Sequence, residues 1–198
     1  VRAELGLPAN ATLVGFVARY DPQKNHSGFI QAASLLQACL PNVHFVLVGK
    51  GVDDTNTALV NDIRYTGLIS QIHLLGLRSD TPRLMASFDV LALSSSYGEA
   101  FPNVLGEAMA CRVPCVVTDI GDSAEIVGNA GRVVPPGDIR GFANGLFDLL
   151  TLSAEQRAAL GDQARARVAL EYEIGDIVSR YATFYDTMVA DNVPSQCS

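Results

Sequence analysis

The chain has 198 residues, 48% of them hydrophobic and 18% charged, with a formal net charge of −7. This composition supports a sizeable core and excludes an intrinsically disordered chain; the length suits one large domain or two small ones. The acidic balance argues against a nucleic-acid partner, which calls for a basic face, and leaves room for a local basic pocket that takes a small anion.

The first apolar run, Thr12–Arg19, is rich in β-branched residues and reads as a strand. After the Asp21-Pro22 turn, HSGFIQAASLLQACL places Phe29, Ala33, Leu36 and Leu40 on one helical face, and Pro41-Asn42 ends it. Val43–Val48 is a second buried strand, followed by Gly49-Lys50-Gly51. Residues 55–68 carry a weaker helical pattern through Leu59, Ile63 and Tyr65. Ile72–Leu75 predicts a third strand, Thr81–Ser87 a brief helix with Pro82 in its first turn, and Asp89–Leu93 a fourth strand. Pro114–Thr118 and Gly131–Val134 predict the fifth and sixth. From Ile139 the pattern is helical, with Phe142, Leu146, Leu149 and Leu150 on one face. A further helix starts near Ala154, with Ser153 as its cap and Glu155-Gln156 in its first turn; a last one covers about Ile177–Val189, and the tail from Asn192 reads as frayed.

Continuously apolar strands alternating with helices predict an α/β fold: a Rossmann-like three-layer domain around a mostly parallel six-stranded sheet, with C-terminal helices appended. The core is expected over about 12–152 and the extra helices over about 153–191. The four cysteines, Cys39, Cys111, Cys115 and Cys197, form no CxxC pair and have no histidine at metal-ligand spacing, so they read as free buried thiols. No run is long enough to span a bilayer. The chain opens at Val1 and reads as a fragment.

Ligands of such folds bind outside the carboxyl ends of the strands, near the point where the strand order reverses. The candidate segments, just after the strands, are therefore Arg19 to Lys24, Gly49 to Gly51, Gly76 to Arg78, and Ser94 to Asn103. Pro102 suits the start of a helix, where its missing N–H costs nothing. The amides of Asn103, Val104 and Leu105 would then face an anion with the positive end of the helix dipole behind them. Glu99 precedes that start and Glu107 lies about five residues inside, roughly 7.5 Å along the axis. Such carboxylates can bracket a bound anion and accept hydrogen bonds from sugar hydroxyls on either side of it. Taken alone, the same pair reads as a cap and a solvated surface glutamate. Arg19 and Lys24, arriving after the first strand, shift the reading because two cations there complement a diphosphate.

The segment Glu99-Ala-Phe-Pro-Asn-Val-Leu-Gly-Glu107-Ala-Met-Ala, together with Pro114-Cys-Val-Val-Thr-Asp, resembles the retaining GT-B glycosyltransferases of group 1 (glycosyltransferase family 4). The glutamates match the E-x7-E motif of that family, Arg19 and Lys24 its phosphate-binding pair, and Val48-Gly49-Lys50-Gly51 its glycine turn. The similarity runs over roughly residues 12–135. The resemblance implies one half of a GT-B fold, the nucleotide-sugar donor-binding C-terminal domain. By position, Arg19 and Lys24 would neutralise the donor diphosphate, Glu107 would bind the ribose and Glu99 the donor sugar. Backbone around Ala100, Phe101, Asn103 and Val104 would assist; Gly49 shapes the second-strand turn, and Gly76, Leu77 and Arg78 would lie against the base. It further implies retention by front-side attack, a nucleoside-diphosphate sugar as substrate with no metal or cofactor required, and a cytoplasmic protein at the inner face of the membrane. On that resemblance the acceptor-binding N-terminal domain is expected to lie outside this chain, so the fragment is expected to transfer nothing alone, with peripheral membrane contact only through that other half.

Two positions depart from the family pattern. Arg112 stands where a glycine is usual between helix and strand, and Asp122 follows Gly121 where a second glycine is usual, which would bring a carboxylate near the donor sugar. Other residues read more simply as structural. His44 and His73 fall in strands, His26 suits a helix cap, Asp53-Asp54 suits a helix start, and Arg165 and Arg167 suit a solvated face. Competing functions are a nucleotide-sugar epimerase or phosphorylase of similar architecture, a non-catalytic nucleotide-sugar sensor, and a dinucleotide module. The last calls for GxGxxG after the first strand, where this chain reads ARYDPQKN.

Overall fold

Six short apolar runs form strands β1 (Thr12–Val17), β2 (Val43–Val48), β3 (Ile72–Leu74), β4 (Val90–Leu93), β5 (Cys115–Thr118) and β6 (Gly131–Val134). In the computed structural model, which describes residues 1–191, they make one sheet in the order β3-β2-β1-β4-β5-β6. Every pairing is parallel, so the mostly parallel sheet expected from the sequence is wholly so. The order reverses between β1 and β4, which makes their carboxyl ends the switch point of the sheet.

The described residues form eight helices, of which the first seven connect or cover the strands: α1 (His26–Cys39), α2 (Thr57–Thr66), α3 (Thr81–Met85), α4 (Asn103–Ala110), α5 (Ser123–Val127), α6 (Ile139–Leu150), α7 (Ala154–Glu171) and α8 (Ile174–Asp191). Neighbouring strand residues point to opposite faces, and both faces are apolar. Val14, Leu47, Ala92 and Val116 meet α1 and α6 in one buried cluster. Leu13, Val46, Leu91 and Cys115 meet α3, α4 and α5 in the other, to which α7 adds Ala164.

Local chemistry sets the helix boundaries. Asn25, in a left-handed conformation at φ 55°, accepts from the Gly28 amide at 3.1 Å, and Asn56 and Asp138 cap α2 and α6 in the same way. Ser153, the cap read from the sequence, forms a reciprocal capping box with Gln156, at 3.2 and 2.9 Å. Gly67, at φ 75°, closes α2.

Several expectations are corrected. The first strand ends at Val17 rather than Arg19, because the Ala18 amide is the last to join β2 before the chain turns away. Pro102 precedes α4 as its N-cap instead of lying inside it. Tyr65 is 94% exposed, so the buried face of α2 consists of Leu59 and Ile63 alone. α3 stops two residues early, and α8 begins at Ile174. The five-residue α5 and the 3-10 turns at Pro22–Lys24 and Gly128–Ala130 have too few residues to show a period and were not anticipated. Cys39 is exposed and Cys111 partly buried; Cys115 is buried, which pushes its thiol up to about 12. Arg167 is not on a solvated face: its guanidinium donates to the carbonyls of Ile126 and Glu125 at 2.9 and 2.5 Å, neutralising the end of α5. Cys197 and the tail from Asn192 lie outside the described residues.

Arg112 is left-handed at φ 62°, as the departure from glycine implied. Its backbone is pinned there: a Cβ on Gly161 of α7 would lie 2.2 Å from the Arg112 carbonyl oxygen. The strain of a side chain at that φ is about 1–2 kcal/mol. The exposed Arg112–Asp162 ion pair at 2.8 Å offsets little of it. Arg112→Gly should therefore raise stability by about 1 kcal/mol and the melting temperature by about 2–4 °C. An unchanged or lower melting temperature in a thermal scan would contradict this.

Candidate functional site

The site is assembled at the exits of β1 and β4. Beyond β1, the Tyr20 amide donates to the Lys50 carbonyl at 2.9 Å and Asp21 caps the 3-10 turn through the Gln23 amide at 2.9 Å. That turn is fastened to the β4 exit loop. The Ser96 amide donates to the Gln23 carbonyl at 2.8 Å, Gln23 Nε2 to the Gly98 carbonyl at 2.7 Å, and Ser94 Oγ to the carbonyls of Lys24 and Asn25. Lys24 is thereby delivered to Glu99, and the two form an ion pair. The same Glu99 oxygen accepts from Ser95 Oγ at 2.5 Å, while the Ser95 carbonyl accepts from Thr118 Oγ1 of β5 at 2.6 Å. The side chains of Lys24 and Glu99 are only 14% and 6% exposed, so solvent screens this pair weakly.

Two glycines bring neighbouring exits together. A Cβ on Gly49, at φ 154°, would lie 2.0 Å from the Ala18 carbonyl oxygen, and the Gly49 amide donates to Gly76 at 2.8 Å. A Cβ on Gly121, at φ 56°, would lie 2.0 Å from the Glu99 carbonyl oxygen, and the next amide, that of Asp122, donates to Ala100 at 3.0 Å. The β5 exit thus holds the loop that carries Glu99.

The remaining residues singled out from the sequence fall around this centre with different surroundings. Arg19 is 59% exposed at its side chain and bonds Asp21 Oδ2 and Gln23 Oε1 at 3.0 and 3.3 Å. Glu107 is exposed on α4 and, among the described residues, has no ion-pair partner. Leu77 is 77% exposed. Arg78 is bidentate to Asp80 at 2.8 and 2.9 Å; together with Arg83 it holds that carboxyl well below the usual range. Pro102 precedes α4 and no side chain caps the helix. The Leu105 amide is not free as expected: it donates to the Pro102 carbonyl at 3.0 Å, while the amides of Asn103 and Val104 have no backbone acceptor among the described residues. Phe101 is exposed, with its ring edge-on to Tyr172 at 5.3 Å.

Sequence reasoning missed Gln23, Ser95 and Thr118. Ser95 lies in the serine run after β4, inside the candidate segment, but only its contact with Glu99 distinguishes it from Ser94 and Ser96. His26 was expected as a cap, a role that Asn25 takes instead. The His26 ring is buried between Phe16 and Tyr20, at 4.8 and 5.1 Å, and burial lowers its pKa from 6.5 to about 4. His44 and His73 contact each other at 3.2 Å and are also lowered by burial. Asp53 accepts from Thr55 in a turn, while Asn56 caps α2. Among the described residues, no group of three or more His, Cys, Asp or Glu could hold a metal, and no helix is long and apolar enough to cross a membrane.

His26 makes stability pH-dependent. Between about pH 6.5 and 4 the unfolded chain binds a proton that the folded chain refuses, so stability is full above that window and falls through it. The loss amounts to about 3 kcal/mol. His26→Phe should flatten the fall in melting temperature between pH 7.5 and 4.5, with His44 and His73 responsible for a residual slope. A variant as steep as the wild type would contradict this.

An all-parallel doubly wound sheet whose polar residues converge at its switch point defines a Rossmann-like α/β domain. Residues 11–152 match the model of the Glycosyl transferases group 1 family, and the chain belongs to that family. The phosphatidyl-myo-inositol mannosyltransferase of Mycobacterium leprae (strain TN) is 30% identical over 190 residues, 92% of this chain and 48% of that protein. The N-acetyl-alpha-D-glucosaminyl L-malate synthase of Bacillus anthracis is 28% identical over 195 residues, 97% of this chain and 50% of that protein. The crystal structure of Anabaena HepE in complex with UDP and glucose aligns with a TM-score of 0.82 at 30% identity, over 94% of this chain and 51% of that one. The chain spans about half the length of the curated relatives it matches.

Proposed function

We propose that this chain is the donor-binding half of a retaining hexosyltransferase that moves a sugar from a nucleoside-diphosphate sugar to a glycan, a lipid-linked sugar or a small molecule. The observation that carries the reading is the Lys24–Glu99 pair, buried at the switch point beside the uncapped start of α4. A diphosphate seated there would meet the unbonded amides of Asn103 and Val104 and the exposed Arg19. Negative charge grows on the departing diphosphate as the glycosidic bond breaks, so cations and amides fixed in advance stabilise the transition state more than the ground state. In this reading Glu107 accepts from the ribose and Glu99, anchored by Lys24 and Ser95, presents its remaining lone pairs to the donor sugar. Leu77 and the Gly76 turn offer an apolar surface to the base. The reaction needs no metal ion or other cofactor in this scheme, and transfer proceeds by front-side attack.

The core of the domain is residues 12–152, and residues 153–191 extend it toward a partner half that binds the acceptor. α8 suits that purpose: Ile174, Val178, Tyr181, Phe184 and Tyr185 are exposed on it and join neither core cluster. An acceptor-binding half seated on this face would bury them. The fragment alone should bind donor and transfer nothing, and the whole enzyme would work in the cytoplasm, reaching the inner membrane face through the other half.

Calorimetric titration against a panel of nucleoside diphosphates and their sugars tests the site. UDP and UDP-glucose belong in the panel because the HepE crystals contain them. Arg19→Ala and Glu107→Ala should each weaken binding about tenfold, as expected for loss of one charge-assisted contact. Unchanged affinity in both variants would remove the assignment, and a robust transfer rate from the fragment would remove the need for a second half.

A further inference from the structure

The loop that leads into α4 is braced from a second direction. Its Ala100 carbonyl is held by the Asp122 amide at 3.0 Å. Its next residue, Phe101, projects an exposed ring that meets Tyr172 edge-on, with centroids 5.3 Å apart and planes at 68°. Tyr172 is a fixed abutment. It terminates α7, its amide donates to the Val168 carbonyl at 3.0 Å, and it packs with Val168 and Val104 against the same buried cluster. α7 in turn lies along α4 and is pressed against the Arg112 turn through Gly161.

We infer that Tyr172 is a positioning residue for the donor site, acting through Phe101 to hold the Ala100–Val104 backbone where its amides meet a diphosphate. This rests on the donor-binding reading above. Phe101 stands between the residue anchored by Asp122 and Pro102, whose ring fixes φ at the entrance to α4. Without a wall on its open side, the loop could rotate about the Ala100 anchor and turn the Asn103 and Val104 amides off the anion. An aromatic edge fits this task because the contact depends on ring geometry and shape, not on a charge that a bound phosphate would attract or repel. The Tyr172 hydroxyl has no part in it, so phenylalanine should serve as well.

UDP titration of the intact chain distinguishes the possibilities. Tyr172→Ala should weaken UDP binding about fivefold, the size expected for loss of one edge-to-face pair. Tyr172→Phe should bind as the wild type does. Phe101→Leu, which leaves α7 untouched, should weaken binding to the same degree, and the double variant should be no weaker than either single one. A Tyr172 that merely packs α7 would change thermal stability without that shared loss of affinity. The chain has no tryptophan, so Tyr172→Trp adds a single indole beside the loop, and its emission should shift when UDP is added. Wild-type affinity in both Tyr172→Ala and Phe101→Leu, or additive losses in the double variant, would overturn the inference while leaving the donor site standing. A wild-type chain that binds neither UDP nor any other nucleotide in the panel would overturn both.

Discussion

Lys24→Met should lower the melting temperature by about 6–20 °C and abolish detectable binding of nucleoside diphosphate. The substitution keeps the length and apolar stem of the side chain and removes only its charge. Glu99 is then left 6% exposed, with Ser95 as its remaining partner. Removing one member of a buried ion pair costs about 3–5 kcal/mol, because the other charge stays desolvated without its counterion. A domain of this size shifts by about 2–4 °C for each kcal/mol. Adding Glu99→Gln should recover at least half of the loss: no unpaired charge remains, and the amide oxygen can still accept from Ser95 Oγ. Binding should not recover with it, which separates the stability role of the pair from its role toward a ligand. Differential scanning fluorimetry of the two single variants and the double variant measures this; a Lys24→Met chain melting within 2 °C of the wild type would show that the pair is solvated.

Gly121→Ala should be about as damaging by a different route. Its Cβ would sit 2.0 Å from the Glu99 carbonyl oxygen and 2.9 Å from that of Ala100, and neither backbone atom can swing aside as a side-chain tip could. The residue is also at φ 56°, where a side chain adds its own strain. Overpacking and strain together should cost about 3 kcal/mol, or roughly 6–12 °C. Because the displaced atoms belong to the loop carrying Glu99, affinity for UDP should fall along with stability. Gly137→Ala is a matched control: it also has positive φ, but nothing lies within 4 Å of its Cβ position. It should lose only the backbone strain and keep its affinity. Equal loss of affinity in the two variants would show that the close approach at Gly121 has no special bearing on the site.

Much of the fold is legible in the chain because it follows from short-range chemistry. The apolar runs that become β1, β2, β4 and β5 are buried on both sides, so their pattern needs no alternation to be read. Pro102 and Ser153 mark helix starts through the loss or gain of one local hydrogen bond. The left-handed Arg112 could be anticipated because the family it resembles usually has glycine there, the residue that tolerates positive φ. α5 and the 3-10 turns escape because five or fewer residues cannot display a helical period.

Apolar runs and turn residues along the chain are enough to establish an alternating α/β domain and which carboxylates and cations follow its strands. Which of those groups meet is settled by contacts between distant segments. Glu99 and Glu107 look alike in a motif, yet one is buried against Lys24 and Ser95 while the other faces outward on α4. Arg19 and Lys24 look like a matched pair, yet only Lys24 is drawn under the β4 loop. The reason is distance along the chain. Lys24 and Glu99 are brought together by the pairing of β1 with β4 and by Gln23 and Ser94 stitching the two exits, and no local pattern encodes contacts between strands that other elements separate. The same holds for Phe101 and Tyr172, which meet because α7 folds back along α4.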